Sequence, residues 1–315
     1  MKITNHFKLP YSFYKVACDM VRPMVDGEMH VTTAISPPQV VALQRKHWNE
    51  LEQDCSDLVW AIFGSAVHSI MEKIKTEKRE VFIEQKLEMQ FDKYKLVGTP
   101  DVYTDKSEDA MGVNCITDWK TAGLYVYKNG IKPEWVAQLN IYKAMFENLH
   151  PDFSAQRLEL VVFFKDWTKS ASRRIDNYPN WAGQTYNAPI WDKKYTLDYI
   201  NTILNEHKEA ENGNIRPCTD EETWHQGDAY KVYKGKNVRC VNGGTFDNGA
   251  EAIEMARALG MQDEKNKYRV EKHMGTRNRC QDNWCLVNKY CPQYLEMYPR
   301  GLNFGVVTNT EEIPI

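Results

Sequence analysis

Two carboxylates and an ammonium are spaced so that they could meet on one sheet: Gly98-Thr99-Pro100-Asp101, then sixteen residues, then Asp118-Trp119-Lys120. Alternate residues of a strand share a face, so Asp118 and Lys120 point the same way, and a neighbouring strand could bring Asp101 beside them. Paired carboxylates can hold a divalent cation through hard oxygen ligands, and a lysine there can contact a phosphate or the water that attacks it. The same three residues also fit a solvated Asp–Lys pair on an edge strand.

A second group is sulfur. Cys280, Cys285 and Cys291, the last followed by Pro292, fall in a short loop-rich stretch able to curl three thiolates round one centre, whereas Cys18, Cys55, Cys115, Cys218 and Cys240 are scattered. In a reducing compartment that clustering suggests a metal rather than a disulfide framework. Buried unliganded cysteines are the competing reading. Cys218, after Arg216-Pro217 at a helix end, is the chosen fourth ligand; Cys240 lies in a predicted strand.

The elements that must position these residues can be read from periodicity. Ser36-Pro37-Pro38 opens a helix running to Trp48 and Glu50, and a longer helix spans Asp54 to about Lys78, with Leu58, Ile62, Ala66, Ile70 and Ile74 recurring every four residues. It carries His68 and the small face Gly64-Ser65-Ala66. From Glu80 the period changes to two: Val81, Ile83, Leu87, Met89 and Phe91 alternate with Glu84, Lys86, Glu88 and Gln90, as in one strand with a core face. Leu96–Tyr103 and Val113–Lys120 read as two more strands, Pro133–Phe146 as a helix with Gln138 and Tyr142 on one face, and Leu158–Phe164 as a buried strand. The order is helix, three strands, helix, strand, a mixed α/β core. Beyond Lys165 a long aromatic loop is expected, then a helix over Thr196–Glu211. A small appendage follows, with a hairpin round Lys234-Gly235, a helix near Asn248–Leu259, a strand near Tyr268–Lys272 and the cysteine cluster.

In this chain order Gly64-x-x-x-His68, the strand acid Glu84, Gly98-Thr99-Pro100-Asp101, Asp118-Trp119-Lys120 and Gln138-x-x-x-Tyr142 resemble the ordered motifs of the PD-(D/E)XK nuclease superfamily, in its RecB-like branch as found in phage-type exonucleases. The resemblance covers residues 35 to 150 strongly and the rest more loosely. It implies a restriction-endonuclease-like α/β core over 36–212, preceded by an N-terminal segment 1–35 and followed by an α+β cysteine-bearing appendage over 213–315. It implies that His68, Asp101 and Asp118, with the Trp119 carbonyl, ligate Mg²⁺ or Mn²⁺. Lys120 would position water or offset phosphate charge, Gln138 and Tyr142 would hold the DNA backbone or the lysine, and Glu84 would be an accessory acid. Members of the branch hold a [4Fe–4S] cluster on four cysteines flanking the core; here these would be Cys218, Cys280, Cys285 and Cys291, with Cys18 the alternative to Cys218 as fourth ligand and Zn²⁺ the alternative metal. Such a clip would fasten the appendage to the core.

Composition constrains the partner. Forty basic and 43 acidic residues give a net charge of −3, which argues against a histone-like polyanion binder and requires any DNA contact to be local. From Glu84 to Asp118 eight acids face four lysines; from Lys265 to Lys289 seven basic residues, among them Lys272, Arg277 and Arg279, face two acids. DNA binding is therefore expected to be salt-sensitive and to depend on the appendage. Arg173 and Arg174, and Lys231, Lys234 and Lys236, are further candidate phosphate contacts. Trp167, Trp181, Tyr186 and Trp191 either stack on splayed bases or form their loop's own core.

No run of 18 apolar residues and no signal-peptide core is present, so a cytoplasmic protein without a membrane partner is expected, in the host cytoplasm if phage-encoded. No P-loop motif occurs, so coupling to ATP would need another subunit. The leading expectation is a metal-dependent DNA exonuclease of recombination, repair or DNA degradation, with a recombination or single-strand-binding protein as partner. A CRISPR-adaptation-type trimming nuclease and a non-catalytic nucleic-acid-binding relative are the alternatives; the intact Asp101, Asp118 and Lys120 set argues against the latter.

Overall fold

The computed structural model describes residues 1–71, 73, 81–106, 111–263, 265–281, 284–298 and 310–313. The chain divides into two compact units, Met1–Arg216 and Pro217–Ile315. Residues 1–35 belong to the first: Lys2–Thr4 pairs in parallel with Glu52–Asp54, and Glu28–His30 with Lys95–Gly98.

The first unit is a mixed α/β structure built on a five-stranded sheet. Its strands are β1 (Val81–Ile83), β2 (Val102–Thr104), β3 (Cys115–Ala122), β4 (Arg157–Phe164) and β5 (Gly183–Ala188), adjacent in that order. All neighbours are antiparallel except β3 and β4, which are parallel and whose connection carries a helix, as parallel neighbours require. The helices that concern the site are α1 (Val59–Met71), α2 (Pro133–Leu149) and α3 (Lys193–Glu211). Proline at the start of α2 loses no helical hydrogen bond, and the Asp192 carboxylate caps α3 by accepting from the Lys194 and Tyr195 amides.

Leu158, Leu160 and Val162 of β4 are fully buried in one cluster with Leu139, Ile141, Met145 and Phe146 of α2. Tyr103 stacks on Phe146, centroids 4.1 Å apart, and Phe82 meets both rings edge-on. Each such side chain contributes about 1.5–3 kcal/mol on burial, which anchors α2 over the sheet. Asp118 and Lys120 pair with Leu160 and Val162 across the parallel ladder, so both point to this apolar side.

The expected single strand from Val81 to Phe91 is broken, as is its partner from Leu96 to Tyr103. Val81–Ile83 and Val102–Thr104 lie in the five-stranded sheet, whereas Leu87–Gln90 and Lys95–Gly98 join Glu28–His30 in a separate three-stranded sheet. The two halves keep one register, Ile83 opposite Val102 and Leu87 opposite Gly98, so this is one hairpin whose ladder opens in the middle. Pro100 offers no amide for the ladder, and Glu84 takes a left-handed conformation at φ 49°. The turn also resets the alternation: even-numbered Phe82 packs on the core before it, and odd-numbered Leu87 and Met89 do so after it.

The helix expected from Asp54 begins as a 3₁₀ turn, Cys55–Leu58, capped by Asp54 accepting from the Ser56 amide at 3.0 Å, and continues as α1. Ile74 and the rest of the expected helix from 74 to 78 lie outside the described residues. Leu58 and Ile62 pack on a small cluster of Ile3, Ala17 and Cys55, but no residue of α1 is buried, and Ala66 and Ile70 are exposed. The stripe thus packs on that small cluster at Leu58 and Ile62 and turns to solvent at Ala66 and Ile70. The loop after Lys165 contains β5, whose Gly-Gln-Thr-Tyr-Asn-Ala lacks β-branched alternation because it is an edge strand half open to water.

In the second unit β6 (Ala229–Lys234), β7 (Cys240–Phe246), β8 (Tyr268–His273) and β9 (Thr310–Ile313) form a sheet of order β7-β6-β8-β9. Helix α4 (Gly249–Gln262), capped by Asn248, lays Ala252 and Ala256 on Val232 and Val270. Among the described residues no helix is long and apolar enough to cross a membrane.

Candidate active site

Where the hairpin opens, its two arms face each other through the Glu84 amide, which donates to the Asp101 carbonyl at 3.0 Å. The freed side chains turn toward α1, and His68 Nδ1 lies 2.9 Å from Asp101 Oδ1. One ligand atom each from His68, Glu84 and Asp101 lies within 4.8 Å of the other two. Asp101 is held on its second oxygen by the Trp119 amide, which donates to Oδ2 at 2.6 Å. A bulky residue held at positive φ is a strain of roughly 1–3 kcal/mol, and Glu84 carries it where three ligating groups converge.

Asp118 and Lys120 stand beside this group. Lys120 Nζ is 2.6 Å from Asp118 Oδ2, an oxygen sealed from solvent and without an aligned hydrogen bond. Burial pushes the Asp118 carboxyl up, against the lowering pull of Lys120, with Asp101 adding to the rise. The hydrogen bond to Asp101 raises the His68 imidazole above its ordinary value, against burial. Gln138 Nε2 donates to the Tyr142 hydroxyl at 2.9 Å, and both residues are buried on α2. Burial and the nearby Asp118 charge raise the Tyr142 phenol.

Gly98 is the close-approach glycine of the motif. A Cβ there would lie 2.7 Å from Tyr142 Cε1 and 2.8 Å from Val31 Cγ2. Gly98→Ala is therefore expected to displace the Tyr142 ring and destabilise the first unit by about 1–3 kcal/mol. A melting temperature equal to wild type would show that the ring has room to move.

The residues expected from sequence thus divide. His68, Glu84 and Asp101 are brought together, with Asp118 and Lys120 adjacent and Gln138 and Tyr142 behind them. Glu84, expected as an accessory, ranks with His68 and Asp101; its left-handed turn left no pattern in a strand-like sequence. Trp119 meets the site through its amide on Asp101. Arg173 and Arg174 are exposed at the end of the short helix Lys169–Ser172. Trp167 donates to the Pro179 carbonyl, and with Tyr186 it packs on the core, while Trp181 is half exposed.

In the second unit Lys272 pairs with Asp228 at 2.9 Å, Arg277 with Asp220 at 2.6 Å, and Arg279 donates to the Glu222 carbonyl while lying over the Trp224 ring. The basic residues expected to meet DNA are therefore partly engaged within the unit. Gln293 brackets Cys218, accepting from its amide and donating to its carbonyl at 2.9 Å each, two residues after Cys291. Asn288 donates to the Cys280 carbonyl, and the Cys285 amide donates to the Arg279 carbonyl. Burial and neighbouring groups, Cys291 and Cys285 among them, push the Cys218 thiol up to about 12; burial with Cys285 and Cys291 pushes Cys280 up to about 11. Cys285 is also raised by burial. All four cysteines thus belong to the second unit, with no disulfide formed. Cys18 lies in the first unit, packed on the Ile3, Ala17 and Cys55 cluster, and Cys240 lies in β7.

The fold and site define a class only coarsely: an α/β protein with a buried acid, histidine and lysine cluster at a break in a hairpin. No family model and no curated protein matches the chain. Among solved structures the chain is similar to that of "Crystal structure of SSO0001", at 16% identity over 61% of this chain and 83% of that one, with a TM-score of 0.42, a likeness that carries no argument.

Proposed function

We propose that the chain is a metal-dependent DNA exonuclease of the PD-(D/E)XK superfamily, RecB-like branch. The observation that carries this reading is the convergence of His68, Glu84 and Asp101 within 4.8 Å, with the Asp118–Lys120 pair beside them. The donors are one imidazole and carboxylate oxygens, the set that suits Mg²⁺ or Mn²⁺, and Asp118 Oδ2, sealed from solvent with the Lys120 ammonium 2.6 Å away but no aligned hydrogen bond, is a group such an ion would satisfy. When bound, the ion would acidify water and neutralise charge on a phosphodiester. A cation seated there would replace the contact that now joins His68 Nδ1 to Asp101 Oδ1. The Trp119 amide keeps Asp101 in one orientation, an outer support of the kind that ligating carboxylates need. Lys120 supplies fixed positive charge to the anionic phosphate, and Gln138 with Tyr142 presents hydrogen-bonding groups on the α2 side. In the second unit, Cys218, Cys280, Cys285 and Cys291 would hold a [4Fe–4S] cluster or Zn²⁺, which would relieve the thiols of the protons that burial forces on them.

The test is a time course on end-labelled linear DNA, single- and double-stranded, beside closed circles, in Mn²⁺, Mg²⁺ and a chelator. Linear DNA should shorten from its ends in either metal and circles should survive. Intact linear DNA in both metals would overturn the reading.

A further inference from the structure

Helix α1 carries Val59, Trp60, Ile62, Phe63, Val67 and Ile70, yet none of its residues is buried. Trp60 is 52% exposed and Phe63 45%, their rings meeting edge-on with centroids 6.1 Å apart. Lys165, exposed at the end of β4, lies 4.3 Å from the centroid of the Trp60 ring, and its amide donates to the Ala122 carbonyl. The pair is tied to the candidate active site along two elements. On α1, Trp60 precedes His68 by eight residues, about 12 Å along the axis. On β3, Ala122 follows Lys120 by two residues, and between them Thr121 meets the helix at Gly64, where its Oγ1 would be 3.5 Å from a Cβ.

We infer that Trp60 and Phe63, with Lys165, form a stacking platform for bases of single-stranded DNA beside the candidate active site. This rests on the nuclease reading and names the form in which that site meets its substrate. Lys165 stands over one face of Trp60, so bases would stack on its other face and on Phe63, which accept any base as an exonuclease of mixed sequence needs, and unpaired bases alone expose their faces. The lysine ammonium answers the strand's phosphates. An apolar helix left in water this close to an anionic-substrate site is explained by a ligand that brings both rings and charge; a purely apolar partner would leave Lys165 without an answering charge.

The experiment compares wild type with Trp60→Ala, Phe63→Ala, Trp60→Phe and Lys165→Gln. Binding of a fluorescein-labelled oligothymidylate and of a blunt duplex is read by anisotropy in Ca²⁺, and DNA degradation by wild type is read in Mn²⁺. Both aromatic rings are half exposed, so their truncation opens no cavity, and unchanged melting curves verify this. Each alanine variant should bind the oligothymidylate about ten-fold more weakly or worse, Trp60→Phe should recover most of the loss, and Lys165→Gln should flatten the salt slope by about 0.7. Wild-type affinity in the alanine variants, while wild type degrades DNA, would overturn the platform and leave the nuclease reading standing. No degradation by wild type would instead overturn the nuclease reading. Loss of self-association in the alanine variants with unchanged DNA affinity would assign the face to a second copy of the chain and also overturn the platform.

Discussion

Asp118→Asn is expected to lower metal-dependent DNA hydrolysis by roughly a thousand-fold or more while leaving the protein folded. The carboxylate is 2% exposed, and burial already resists its charge; the ammonium of Lys120 and, more weakly, His68 favour the ionised form, as a bound cation would. An amide of the same shape keeps the packing against the apolar side of β4 but gives a cation no charge to hold. In the metal-free protein the substitution leaves the Lys120 ammonium without its carboxylate, which lowers stability, although the amide oxygen can still accept from it. The discriminating measurement is a thermal melt with and without Mn²⁺. Wild type should gain about 2.7 kcal/mol at a hundred-fold excess of metal over its dissociation constant, and the variant should gain nothing. A variant that melts like wild type in both conditions and degrades DNA at the wild-type rate would remove Asp118 from the site.

Cys285→Ser is expected to unfold the second unit and leave the first intact. The sheet and helix of that unit close over Val232, Ala252, Ala256 and Val270, two valines and two alanines, a core far smaller than the cluster under α2. Units with so small an apolar interior depend on a staple, and structural metal sites supply apparent binding energies of about 10–16 kcal/mol toward folding. Cys285 is buried, and the Cys285 charge is felt at Cys218 and Cys280, so its sulfur is central to the group. Limited proteolysis should release peptides from 217–315 and spare 1–216, and a metal assay should show the loss. Wild type prepared without oxygen should be brown with broad visible absorption if the centre is iron–sulfur; stoichiometric zinc in a colourless protein would assign zinc. A serine variant as protease-resistant as wild type would exclude a structural metal.

Gly64, His68, Asp101, Asp118, Lys120, Gln138 and Tyr142 were legible because their spacing maps onto periodic elements: two apart on a strand, four apart on a helix. Glu84 was harder. Its neighbours alternate as in an uninterrupted strand, and the break between Glu84 and Leu87 is enforced by the partner arm, where Pro100 has no amide and Gly98 lets Tyr142 approach. The pairing of the basic residues was also illegible, since Asp220 and Asp228, which pair with Arg277 and Lys272, lie about fifty residues away along the chain.

The amino-acid order by itself determined the mixed α/β class, the helix-flanked succession of strands, the identity of the acid and lysine residues and the clustering of cysteines, because these follow from local periodicity and side-chain chemistry. Only the tertiary structure decided that one hairpin feeds two sheets, that its opening brings Glu84 to His68 and Asp101, and that α1 keeps Trp60 and Phe63 in water. Those outcomes depend on which distant elements compete for each face: the core under α2 was filled by β4 and its neighbours, and α1, admitted to the sheet beside Gly64, was left with Trp60 and Phe63 facing out.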